Sequence, residues 1–107
     1  MVPITQKKYF KKITKLINKN NLQNIKFIGN VESTKSYLDD FDIYLCTSRY
    51  ESSPLAVWEA MSMGKAVISS DVGDVGYFLN SNDYNFVVNV GDVESYVINI
   101  MKLVKDQ

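Results

Sequence analysis

Two short apolar runs, Ile43-Tyr44-Leu45-Cys46 and Ala66-Val67-Ile68-Ser69, flank a segment fenced by Pro54 at one end and Gly64 at the other. Runs of this length and composition read as buried strands. The segment between them reads as a helix. Ser53 is placed to be its N-cap, Pro54 to take the first helical position where a missing N–H costs nothing, and Gly64 to end it. Strand, helix and strand joined by short connections imply a parallel sheet covered by helices.

The alternation continues on both sides. A first helix is expected from about Thr5 to Lys19, stopping in Asn18-Lys19-Asn20-Asn21 because asparagine tolerates left-handed geometry. Ile25-Lys26-Phe27-Ile28 reads as a strand closed by Gly29-Asn30, and Glu32 to Leu38 as a short helix. Asp71-Val72-Gly73-Asp74 reads as a turn, followed by a short segment around Tyr77-Phe78-Leu79. Asn85-Phe86-Val87-Val88 reads as the last strand, and Asp92 as the cap of a closing helix from Val93 to about Lys105. With 107 residues the expectation is one small α/β domain with a Rossmann-like parallel sheet and flanking helices.

Composition narrows the functional classes. Apolar residues make up 46% and charged residues 22%, the balance of a globular protein. No apolar run approaches a membrane span, and Met1-Val2-Pro3-Ile4 leads into lysines without a signal peptide's apolar stretch, so the expected location is cytoplasmic. Cys46 is the single cysteine, which rules out an intramolecular disulfide. The absence of histidine excludes histidine acid–base chemistry and argues against a zinc site, so no metal is expected.

The net charge of zero conceals an asymmetry. Lys7, Lys8, Lys11, Lys12, Lys15, Lys19 and Lys26 all precede the first acidic residue, Glu32. Such a segment, with Phe10, Ile13, Leu16 and Ile17 at helical spacing, suits an anionic membrane surface or nucleic acid. The plainer reading, which we favour, is a solvated helix whose apolar stripe packs on a sheet. Lysine without arginine or interleaved surface aromatics argues weakly against nucleic acid.

In an open parallel sheet, ligands bind at the carboxyl ends of the strands. The loops that matter are therefore Gly29-Asn30-Val31, Thr47 to Ser53, and Ser69 to Gly76. The second runs into a helix N-terminus whose N–H groups at Ser53, Leu55 and Ala56 suit a phosphate. Glu51 and Glu59 frame this stretch. Glu59 is the lone charge between Ser52 and Gly64, and a carboxylate beside a bound phosphate is better matched to the 2′ and 3′ hydroxyls of a ribose. Alternatively Glu59 faces solvent, or pairs with Lys35 or Lys65.

The stretch from Ser48-Arg49-Tyr50-Glu51-Ser52-Ser53-Pro54-Leu55 through Glu59-Ala60-Met61 and Gly64 to Ser70-Asp71-Val72-Gly73 resembles the donor-binding signature of the retaining glycosyltransferases of the GT-B fold, known as group 1 or family 4. Phe27-Ile28-Gly29-Asn30-Val31 and Phe41-Asp42-Ile43-Tyr44-Leu45 sit where that family places the two preceding strands, so the resemblance covers nearly the whole chain. It implies a partial C-terminal domain of a GT-B fold that binds a nucleotide-diphospho-sugar. The acceptor, a glycan or lipid, would be held by an N-terminal domain or partner subunit, with peripheral membrane contact allowed. By motif position the resemblance gives Glu59 to the donor ribose and Glu51 to the sugar and reacting centre. It gives Ser52, Ser53, Pro54 and Leu55 to the sugar and pyrophosphate, and Gly29, Asn30 and Val31 to the base. No metal or cofactor is implied beyond the donor itself.

The sequence departs from the family pattern in several places. Ser52 and Ser53 replace a glycine–aromatic pair, although Ser53 also has a plain capping role. Ala66 replaces proline, Asp74 a second glycine and Tyr77 a glutamate. Asp74 adds repulsion near a pyrophosphate unless it points to solvent. The family's arginine and lysine clamp on the donor phosphates has no counterpart, since Arg49, the single arginine, precedes Glu51 in a loop. The chain is thus expected to begin inside the donor domain and to transfer sugar weakly or not at all by itself. Rival readings are a non-catalytic nucleotide-sugar-binding subunit or remnant, and a generic α/β nucleotide-binding or interaction module.

Overall fold

The computed structural model of the chain describes residues 4–27, 35–79 and 84–105. The chain divides into two compact units, Met1–Ser33 and Thr34–Gln107.

In the first unit, α1 spans Ile4–Lys19 and carries no acidic residue in its first turn. Lys8, Lys11, Lys12, Lys15 and Lys19 are all exposed and share one helical face through three- and four-residue spacings. Ile13 and Ile17 are half-buried. The helix ends as expected in the asparagine cluster: Asn21 adopts φ 53°, its N–H donates to Asn18 O and the Leu22 N–H to Ile17 O. This is a Schellman closure with asparagine in the left-handed position usually held by glycine.

The strand expected over Ile25–Ile28 is not found at Ile25, Lys26 and Phe27, which carry no regular structure. An apolar run has no strand geometry without a bonded neighbour. Here the Phe27 ring instead meets that of Phe10 edge-on, with centroids 4.8 Å apart. Ile28, Gly29, Asn30 and Val31, and the start of the helix expected from Glu32, lie outside the described residues.

The second unit is a three-stranded parallel sheet with helices on both faces. Its elements are α2 (Lys35–Asp40), β1 (Ile43–Cys46), α3 (Leu55–Ser62), β2 (Ala66–Ser70), α4 (Val75–Phe78), β3 (Asn85–Val88) and α5 (Val93–Lys105). The strand order is β1-β2-β3, with Tyr44 opposite Val67 and Ile68 opposite Phe86. Alternation along the strands divides the core in two. Cys46 and Val67 face Leu38 of α2, Val57 and Ala60 of α3, and Val75 and Leu79 around α4. Ile68 and Val88 face Tyr96 and Leu103 of α5. Burial of each large apolar side chain stabilises by roughly 1.5–3 kcal/mol, so fully enclosed Val57, Val67, Ile68 and Val75 anchor the layers.

Two helix ends were anticipated and are seen in detail. The α3 chain closes with the Gly64 N–H donating to Met61 O and the Lys65 N–H to Ala60 O, both at 3.0 Å, while Gly64 takes φ +74°. Asp92 caps α5: its carboxylate accepts the Ser95 N–H at 3.2 Å and the Ser95 hydroxyl at 2.6 Å. The start of α3 is shifted by one residue. Pro54, with ψ 101°, is the N-cap, and no side chain caps the helix. Ser53 fails as a cap because its hydroxyl accepts the Trp58 indole N–H at 2.9 Å.

Gly64→Ala should cost about 1 kcal/mol in urea unfolding, since space around the position is open and only the left-handed backbone resists a Cβ. The Ser95 hydrogen bonds lower the pKa of Asp92. Its contribution to stability is therefore complete above the ordinary carboxylate range and lost as pH falls through the depressed folded value. Wild type should lose stability more steeply than Asp92→Asn as pH falls from about 5 to about 2, measured by thermal unfolding.

Candidate donor-binding cleft

The carboxyl ends of β1 and β2 lie side by side, and the loops that follow them are bonded together. The Ser70 hydroxyl donates to Ser48 O at 2.6 Å, and the Asp74 N–H donates to Ser52 O at 3.0 Å. From the opposite face of the sheet, the Tyr96 hydroxyl donates to Cys46 O. Gly73, at φ +52°, presses its Cα so close that a Cβ would strike the carbonyl oxygens of Ser52 and Glu51. These contacts fix the course of the Thr47–Ser53 loop against the Asp71–Asp74 turn.

An open cleft of about 580 Å³ lies here, lined by Arg49, Tyr50, Glu51, Ser52, Asp71, Val72 and Gly73. Glu51 is exposed, and its Oε1 accepts a long hydrogen bond, 3.4 Å, from the Ser48 hydroxyl. Asp71 is tethered through its backbone, its N–H donating to Val88 O at 2.8 Å. Its carboxylate lies over Gly76, where a Cβ would come within 2.5 Å of Oδ1. Both carboxylates are open to a ligand carrying hydroxyl groups.

Of the expected site residues, Glu51 and Ser52 line the cleft. Ser53 is engaged by Trp58, Pro54 is buried and Leu55 is 72% exposed. Glu59 is not among the described lining residues and stands exposed on α3. Its apolar sequence neighbours do not bury it, because the helical period turns Val57 and Ala60 to the core and leaves Leu55 and Glu59 outward. The two glutamates nevertheless act on one group. Burial first, then the charges of Cys46, Glu51 and Glu59, hold the Tyr44 phenol above its ordinary pKa, so both carboxylates lie within electrostatic reach of that ring. Gly29, Asn30 and Val31 lie outside the described residues.

Asp74 does not take the fully solvent-facing position that would keep its charge away from a pyrophosphate. One of its carboxylate oxygens is enclosed without a hydrogen-bond partner among the described residues, while its backbone N–H donates to Ser52 O. Arg49, Asp71 and Val72 were not among the site residues chosen from the sequence. The signal that could have found Asp71 is its place in the loop after β2, next to the crevice. Among the described residues, no group of three or more Cys, Asp or Glu side chains is arranged to hold a metal ion, and no helix is long and apolar enough to cross a membrane.

The sequence profile of the family Glycosyl transferases group 1 matches residues 4–106. The chain belongs to the group 1 glycosyl transferases. Among curated relatives, the lipopolysaccharide core biosynthesis glycosyltransferase LpsE of Rhizobium meliloti (strain 1021) is 23% identical over 82 residues, which is 77% of this chain and 24% of that protein. Among solved structures, the sucrose-phosphate synthase of Thermosynechococcus elongatus superposes with a TM-score of 0.80 at 25% identity, covering 90% of this chain and 25% of that one. This group 1 glycosyl transferase chain thus spans about a quarter of the length of both. The parallel α/β sheet is the Rossmann-like GT-B type that the sequence suggested.

Gly73→Ala should destabilise the group 1 domain by at least about 2 kcal/mol in urea unfolding, because left-handed strain adds to a backbone collision that no side-chain rotation relieves. It should therefore cost clearly more than the same change at Gly64.

Proposed function

We propose that this chain is the donor-binding part of a retaining glycosyltransferase that moves a sugar from a nucleotide-diphospho-sugar to a glycan or lipid acceptor. Membership in the group 1 family across residues 4–106 supports glycosyl transfer as the parent chemistry. The observation that carries the donor reading is the meeting of Glu51 and Ser52 with Asp71, Val72 and Gly73 at the carboxyl ends of β1 and β2. Fold rules put ligands in that crevice.

In this reading Glu59 accepts the ribose hydroxyls and Glu51 faces the donor sugar. The uncapped N–H groups in the first turn of α3 face the diphosphate, which withdraws with the electron pair of the broken glycosidic bond. No step is routed through a metal. The acceptor is held by a further domain or a partner subunit. The related LpsE, named for lipopolysaccharide core synthesis, supports a role in cell-surface glycan assembly. We place the protein in the cytoplasm, and the exposed lysine face of α1 allows peripheral contact with anionic headgroups.

Titration calorimetry with uridine, guanosine and adenosine diphosphates tests the donor assignment. One of them should bind, and Glu59→Ala should weaken it roughly ten- to a hundredfold, the worth of charge-assisted hydrogen bonds to a ribose. No binding by any of the three, or binding indifferent to Glu59→Ala, would sink the proposal in favour of a generic α/β interaction module.

A further inference from the structure

Three aromatic rings carried by α3 and α4 stand together outside the cleft. Phe78 meets Tyr77 edge-on with centroids 4.9 Å apart and Trp58 edge-on at 6.0 Å, at interplanar angles of 77° and 88°. Tyr77 is 82% exposed and Phe78 61%, while Trp58 is half-buried against the core beneath α3. None of the three is among the described residues lining the cleft. Tyr77 stands where the family pattern has a glutamate, so packing does not demand a ring at this position.

The cluster is fastened to the cleft by hydrogen bonds. Ser52, which lines it, accepts the Asp74 N–H, and the Asp74 carbonyl accepts the N–H groups of Tyr77 and Phe78, each at 3.1 Å. From the other side Ser53, next in sequence to Ser52, accepts the Trp58 indole N–H. The indole's one donor is thereby spent and the Phe78 ring has none, so this surface recognises through ring faces and edges.

Size and chemistry decide what fits it. Exposed rings of about 150–250 Å² each fall short of the roughly 800 Å² per partner that a stable protein interface buries. A pyranose matches better. Its weakly positive C–H groups lie against the negative face of an aromatic ring, while its rim of hydroxyls stays in water or turns to the neighbouring carboxylates. Sugars are also the compounds on which the family acts.

We propose that Tyr77, Phe78 and Trp58 form a saccharide subsite outside the cleft, where a pyranose of the acceptor glycan stacks by its apolar face. A glycan acceptor is then favoured over a lipid one, and it touches this chain as well as the domain or subunit that holds it. The inference rests on the glycan-acceptor reading above and is independent of where the donor ribose binds.

Trp58 is the single tryptophan, so its emission reports occupancy of the subsite. Emission is titrated with maltotetraose, cellotetraose and lactose, and with sorbitol as an acyclic control, in wild type, Tyr77→Phe and Tyr77→Ala. The exposed position tolerates both changes, and thermal unfolding confirms that each variant is folded. At least one saccharide should give a saturable shift and sorbitol none. Tyr77→Ala should weaken that saccharide about tenfold and Tyr77→Phe should leave it nearly unchanged, because the ring and not the hydroxyl stacks. Calorimetry with uridine, guanosine and adenosine diphosphates and their diphosphoglucoses should not distinguish Tyr77→Ala from wild type. No saccharide response, an equal response to sorbitol, or indifference to Tyr77→Ala would overturn the subsite. So would a loss confined to the diphosphoglucose, which gives the ring to the donor sugar, or a dimer in sedimentation that Tyr77→Ala abolishes, which makes the cluster a contact between copies. Should no nucleotide bind wild type, the donor reading falls alone and the saccharide titration still decides this one.

Discussion

Everything in the second unit is arranged around β2. A parallel strand cannot pair with its predecessor through a tight turn, so each pairing requires a crossover that places a helix on the sheet. β2 pairs on both edges, with β1 and with β3, and Val67, Ile68, Ser69 and Ser70 along it are buried. Helix α3 must therefore lie between β1 and β2 in chain order and cover one face. Helix α5, arriving after β3, covers the other through Tyr96 and Leu103. The two serines at the end of β2 are buried polar groups, and their hydrogen bonds do what an apolar residue could not. Ser69 donates to Ser70 O, and Ser70 reaches across to Ser48 O in the loop after β1. The strand that organises the core thus also fastens the loop that borders the cleft.

The functional arrangement follows from where that fastening occurs. Carboxyl ends of parallel strands carry the crossing loops, and here the loops after β1 and β2 each bring an acidic residue, Glu51 and Asp71, to a shared opening beside Arg49. Two carboxylates and a guanidinium among the lining residues give the opening directional groups for a polar ligand. Glu59 belongs to a neighbouring position on α3, linked to Glu51 through the raised phenol of Tyr44 instead of through a shared cavity.

Local chemistry made much of this legible in the sequence. The strands Ile43–Cys46 and Asn85–Val88, the end of α3 at Gly64 and the Asp92 cap each depend on a few adjacent residues, and each is found as read. What could not be read depends on partners distant in the chain. Ile25–Phe27 looks like a strand by composition, but strand geometry needs a neighbour and Phe27 meets Phe10 instead. Ser53 has the chemistry of a cap, yet Trp58 claims its oxygen. That Arg49 lines the cleft could not be read from its chain position, because membership of the cleft is decided by how two loops come together. For Glu59 the sequence leaves open a crevice-side or a solvent-facing position, and the helical period turns it outward with Leu55.

The close approach of Gly73 to the carbonyls of Glu51 and Ser52 reaches beyond stability. Two stretches of main chain in contact, with no side chain between them, leave neither room to slide nor a rotamer to change. The floor of the cleft is in effect a fixed mount. Any adaptation to a different ligand must come from exchanging the side chains carried on it, at positions 49 to 52 and 71, rather than from bending the loop. Related domains sharing this contact should therefore differ in what they recognise by substitution at those positions while keeping the same backbone path.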